Sequence, residues 1–84
     1  ADTRRAWLRA VAARQQLASS ERMHEAAEAG AELARRMARV GNFSRLQQAR
    51  ELSIQQDTAA QLARARLAAT AEHEQLARLM GLWG

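Results

Sequence analysis

Only one place in this chain carries both a helix stop and a helix start, and that constrains the fold more than any other feature. From Thr3 to Val40 and again from Arg45 to Met80 the residues are mostly Ala, Leu, Arg, Gln and Glu, the strongest helix formers. The chain has no proline at all, so nothing in either stretch forces a break. Between the stretches lies Val40-Gly41-Asn42-Phe43-Ser44. Gly41 suits the left-handed position just past a helix end. Arg35, Arg36 and Arg39 crowd the preceding turns, where cations complement unpaired carbonyls. Ser44 and Gln47 have the spacing of a capping box, in which the hydroxyl accepts from the third helical amide and the glutamine reaches back. Stop, short loop and start in that order predict an αα-hairpin. The expected helices are 3–40 and 45–80, with a tip turn at 41–44 and no strands.

Two local features test this reading. Ser19-Ser20 could divide the first arm and give three helices, but the apolar phase of Leu8, Val11, Ala18, Ala26, Leu33, Met37 and Val40 runs unbroken across it. Gly30 either permits a close helix contact or is simply tolerated, at roughly 1 kcal/mol against Ala. Gly81 reads as the second stop, with Leu82 placed to pack back on the last turn. Folding at the tip sets Val40 beside Leu46, Met37 beside Ala49, Leu33 beside Leu52 and Leu8 beside Leu76. Residue 24 then faces the region near 62.

Each arm also carries further small or apolar stripes. On the first arm a second stripe is Ala10, Ala13, Leu17, Ala27, Ala31, Ala34 and Ala38. On the second, one stripe is Leu52, Ala59, Leu62, Ala69, Leu76 and Met80, and another is Leu46, Ala49, Ala60, Ala63, Leu67, Thr70 and Ala77. A hairpin needs one seam per helix, so extra seams at coiled-coil spacing call for neighbours on both sides. Alanine used purely for helix propensity is the other reading of the Ala faces. The expectation is an all-α, long antiparallel two-helix coiled coil that associates into dimers or a larger bundle. Trp7 and Trp83 fall at the open end, where they cap the seam or meet further chain.

Composition narrows the function. Of 40 apolar residues, 21 are alanine, which leaves little to fill a core. All 13 basic residues are arginine, against nine acids, for a net charge of +4. They spread around both arms, and a solvated face with ion pairs (Glu32 with Arg35 and Arg36, Glu74 with Arg78) accounts for most of them. Only Arg35, Arg36, Arg39 and Arg45 gather, near the tip. No Cys is available for thiolate metal sites. His24 and His73 lie far apart and no carboxylate pair joins them at ligand spacing, so neither a metal nor a cofactor is expected. No nucleophile–base set and no phosphate-binding glycine loop points to an enzyme. No aromatic interleaving supports nucleic-acid binding. Phe43, the single Phe, sits in the tip and is either folded onto Leu46 or offered to a partner.

The stretch from Ala26 to Gly84 resembles the second helical hairpin of a TolC-like outer-membrane efflux channel. The resemblance rests on Ala27-Glu28-Ala29-Gly30-Ala31-Glu32-Leu33-Ala34-Arg35-Arg36 and on the tip Val40-Gly41-Asn42-Phe43-Ser44-Arg45-Leu46. It continues through Ala49-Arg50 and Gln61-Leu62-Ala63-Arg64-Ala65-Arg66 to Leu76-Ala77-Arg78-Leu79-Met80-Gly81-Leu82. Residues 1–25 match only as generic Ala/Arg helix. The resemblance implies a piece of a trimeric channel, one hairpin of a periplasmic α-barrel carried below a membrane β-barrel. It implies that the tip, Val40 to Leu46 with Arg36 and Arg39 beside it, meets a periplasmic adaptor protein of a tripartite export system. Two further readings stay open at this point: a free-standing, self-associating coiled-coil scaffold, and a basic helical nucleic-acid-binding module.

Overall fold

A computed structural model describes residues 2–41 and 44–82. The chain forms two helices, α1 (Asp2–Arg39) and α2 (Arg45–Leu82), packed as an antiparallel hairpin. No strand occurs among the described residues. The molecule measures 63 × 15 × 13 Å, the length expected of 38-residue helices at about 1.5 Å per residue.

α1 runs through Ser19-Ser20 without a break. Ser20 is buried there, a small side chain at a helix contact. Gly81 does not stop α2, which continues to Leu82. Nothing terminates α2 at Gly81, because its φ is not in the left-handed region that Gly41 occupies. The packing of the Leu82 side chain and the position of Trp83 lie outside the described residues.

The seam between the arms is built from small residues. The buried positions of α1 are Ala6, Ser20, Ala27, Ala31 and Ala34, and those of α2 are Thr58, Leu62 and Ala65. Partly covered residues fill the same rows: Ala10, Ala13, Leu17 and His24 on α1, and Glu51, Gln55, Ala69, Glu72, Leu76 and Leu79 on α2. Successive members alternate steps of three and four, the repeat of a coiled-coil seam. Ala supplies eight of these eighteen positions, six of them on α1, so little apolar area is enclosed.

This corrects the expected register. The leucine-bearing phase of α1 is not the seam; the alanine stripe is. Leu33, Val40, Leu46 and Leu52 are all at least half exposed, as is Leu8. The cross-arm contacts are Arg9 with Glu72 and His24 with Thr58, so residue 24 meets 58 rather than 62. The slip follows from which groups need partners. At the observed register His24 meets Thr58 and Glu72 meets Arg9, while Leu8, Leu33, Leu46 and Leu52 stay outside.

Trp7 does not cap the seam either. Its side chain is 54% exposed and lies along an open groove on one flank. A Cβ at Gly30 would come 3.0 Å from Glu51 Oε2, the end of a flexible side chain on α2, and would meet no backbone atom of that arm within 4 Å.

The small-residue seam inverts the usual ranking of core substitutions. Ala31→Leu, at a position 4% exposed, should cost about 1–3 kcal/mol by overpacking. Leu33→Ala should change the stability of the hairpin by less than about 0.5 kcal/mol. Urea unfolding followed by circular dichroism reads both. Equal losses at the two positions would contradict an alanine seam.

Candidate functional site

The tip is where the sequence signals are densest, and its described residues follow them. Gly41 has φ +79°, a conformation that costs an L side chain roughly 1–2 kcal/mol. Its amide donates to the Ala38 carbonyl at 3.1 Å, one of the bonds that close a helix through a left-handed residue. On the return side Gln47 N–H donates to Ser44 Oγ at 3.1 Å, and Ser44 N–H donates to Gln47 Oε1 at 3.1 Å. This is the reciprocal capping box. The first regular helical bond follows, from Gln48 N–H to the Ser44 carbonyl at 3.0 Å. The loop thus spends its polar backbone on two caps, which fixes how the arms enter and leave it.

Those caps leave apolar side chains outside. Val40 and Leu46 are each 69% exposed, on opposite sides of the turn. Asn42 and Phe43, also expected at the tip site, lie outside the described residues. The four tip arginines divide into two kinds. Arg35 Nη2 and Arg36 Nε reach the two oxygens of Glu32 at 2.9 and 3.3 Å. Arg39 and Arg45 are exposed and have no ion-pair partner among the described residues. The tip therefore presents two aliphatic side chains with two uncommitted guanidiniums.

Glu32 is the group most affected by its neighbours. Its hydrogen bond and charge interaction with Arg35, followed by the charge of Arg36, hold its carboxyl below the usual carboxylate range. Of the other expected pairs, Arg78 donates to Gln75 Oε1 at 3.4 Å instead of reaching Glu74.

Halfway along the seam His24 forms a polar layer missed by hydropathy alone. Its Nδ1 is 3.1 Å from Thr58 Oγ1 and its Nε2 is 2.9 Å from Glu28 Oε1. The Thr58 hydroxyl has the Ile54 and Gln55 carbonyls within 3.0 Å. It gives its one hydrogen to that backbone and accepts from His24. The signal was available as an i, i+4 spacing from His24 to Glu28, but its cross-arm partner depended on the register. His73 is exposed on the flank groove, far from His24.

On that flank, towards the open end, lies a groove of about 920 Å³. Trp7, Val11 and Ala18 line it from α1, and Arg66, Thr70 and His73 from α2. The sequence does not disclose it, because its lining draws Val11, Ala18 and Thr70 from stripes expected to pack elsewhere. No described helix is long and apolar enough to cross a membrane. Comparison of the chain with protein families, with curated proteins and with solved structures found no match.

Two measurements follow from this geometry. Ser44→Ala removes the cap acceptor and should destabilise the hairpin by about 1 kcal/mol, measured by thermal unfolding; Ser44→Asp should restore most of it. Glu32 has a folded-state pKa below its unfolded one, so its contribution is present above the unfolded value and is lost as pH falls through the folded one. Acid unfolding of Glu32→Gln should therefore show a shallower loss of helix across the carboxylate range than the unaltered chain. Superimposable curves would remove the Glu32–Arg35–Arg36 network as a contributor.

Proposed function

We propose that the chain is a tunnel-wall hairpin of a TolC-like outer-membrane efflux channel, working in the periplasm, with its tip docking onto a periplasmic adaptor protein. The observation that carries this reading is the inverted distribution of side-chain size. Alanine supplies six of the nine α1 positions in the seam, while Leu8, Leu33, Leu46 and Leu67 are between 53% and 73% exposed on the outer sides of the two arms. A free hairpin has no use for large apolar residues there. A helix in a tubular wall has a neighbour on each side, one inside its own hairpin and one beyond it.

Three further points support the reading. Both arms are unbroken over 38 residues, as a long wall requires. Residues 26–84 carry the ordered motif on which the resemblance rests. The turn is held by caps on both sides, leaving Val40 and Leu46 outward with Arg39 and Arg45 beside them. That surface suits another helical tip bearing apolar and acidic side chains. The hairpin acts as wall and docking element, and catalysis has no part in it.

The test uses the chain and a purified adaptor helical hairpin in a titration followed by calorimetry. Val40→Asp and Leu46→Asp should each weaken binding at least tenfold, whereas Arg64→Ala, midway along α2, should leave it unchanged. Binding indifferent to both tip variants would remove the docking claim.

A further inference from the structure

The flank groove belongs to a longer surface whose charges are arranged in blocks. Steps of seven residues keep a helical position on one face of a coiled-coil arm. From Arg14 in the groove, such steps reach Glu21 and Glu28; from Ala18 they reach Glu25. From Arg66 on α2 they reach Ala59 and Leu52, and from Thr70 they reach Ala63. The open-end part of this flank is therefore basic, with Arg14, Arg66 and His73, and carries one acid, Glu74, at its lip. The next part is acidic, with Glu21, Glu25 and Glu28. Arg14, Arg66, Glu21 and Glu25 have no ion-pair partner among the described residues. The hairpin has built both halves of an electrostatic match and left them unpaired, displaced from each other along its own axis.

A second copy turned end for end would pair them. The register set by Arg9 with Glu72 and His24 with Thr58 puts Ala63 level with Ala18 and Leu52 level with residue 30. We infer that two copies of this chain pack antiparallel through this flank, α1 against α1 and α2 against α2, about a two-fold axis at the level of Ala18 and Ala63. An axis there brings Arg14 and Arg66 of one copy to the level of Glu21 and Glu25 of the other. It brings Trp7 to the level of Leu52, and His73 to that of Glu28. Every match occurs twice, as a two-fold interface demands. Small Ala18 and Ala63 sit where the copies cross, and the exposed indole of Trp7 gains an apolar neighbour.

The size is adequate. Overlap of residues 4–33 extends for about 44 Å. Across the 15 Å width of the hairpin it encloses roughly 1,300 Å² in total, within the range of specific interfaces. A parallel pairing of the same flank would set acid against acid and base against base, which electrostatics disfavours. The inference rests on the flank and not on the tunnel reading, whose test addresses the tip.

The experiment uses the whole chain. Sedimentation should show a dimer, and Glu21→Arg with Glu25→Arg should raise its dissociation constant at least tenfold. Adding Arg14→Glu and Arg66→Glu to that variant should restore dimerisation, because the match is then re-formed with signs exchanged. Ala18→Cys, on the axis, should form an intermolecular disulfide under mild oxidation, whereas Ala49→Cys, far from it, should not. A helical monomer across micromolar concentrations would overturn the inference. So would a dimer indifferent to the charge reversals, or equal cross-linking at both cysteines, which marks a parallel pair.

Discussion

Everything in this hairpin depends on alanine at the contact between its arms. Ala6, Ala27, Ala31, Ala34 and Ala65 are buried there. Each contributes only a methyl group, and the helices gain dispersion contacts along a long line. Where Ala27, Ala31 and Ala34 line α1 there is little room for a larger side chain, and neighbouring Leu33 lies outside, whereas on α2 Leu62 is buried in the seam. Exposed Leu8, Leu33, Leu46 and Leu67 lie off the rows that form the seam.

The energetic consequence is a hairpin whose enclosed apolar area is small for its length. At about 25 cal/mol per Å², alanine contacts offset only part of the entropy of ordering two 38-residue arms. Strong intrinsic helix propensity, an absence of proline and caps on both sides of the turn lower that cost locally. Burial of surfaces outside the pair would add to this. Both the wall reading and the antiparallel dimer are ways of covering such surfaces, and they use different ones. The wall uses the outer stripes of Leu8, Leu46 and Leu67. The dimer uses the groove flank of Trp7, Ala18 and Ala63.

The helices, the break and both tip caps were legible from the residues, since each depends on chemistry within a few positions. Ser44 with Gln47 is local, and so is the left-handed Gly41. The seam was harder to read. Hydropathy ranks leucine above alanine, so the phase through Leu8, Leu33 and Val40 looked like the core, although the alanine stripe through Ala27, Ala31 and Ala34 was equally visible. What decides between them is backbone distance, which a sequence pattern does not report. The strict alternation of three and four from Ala6 to Ala34 held the information, but the polar members Ser20 and His24 disguised it as a broken stripe.

Those polar members also explain why the arms settle at this register. The α1 side of the seam is mostly alanine and nearly featureless, so by itself it does little to tell one position of α2 from the next. A polar layer is not interchangeable in this way. His24 Nδ1 finds Thr58 Oγ1, itself anchored to the Ile54 and Gln55 carbonyls, and Arg9 finds Glu72 at 3.2 Å. A slip of one turn would leave the half-buried imidazole and the Thr58 hydroxyl without each other, at the loss of one hydrogen bond worth about 0.5–1.5 kcal/mol. Two polar contacts 15 residues apart on α1 thereby fix the alignment that the alanines cannot, much as a single buried polar residue sets register in other coiled coils. The flank inherits this precision. The levels of Arg14, Glu21, Leu52 and Arg66 relative to one another are set by His24 and Thr58, so any partner that reads those charges reads the register as well.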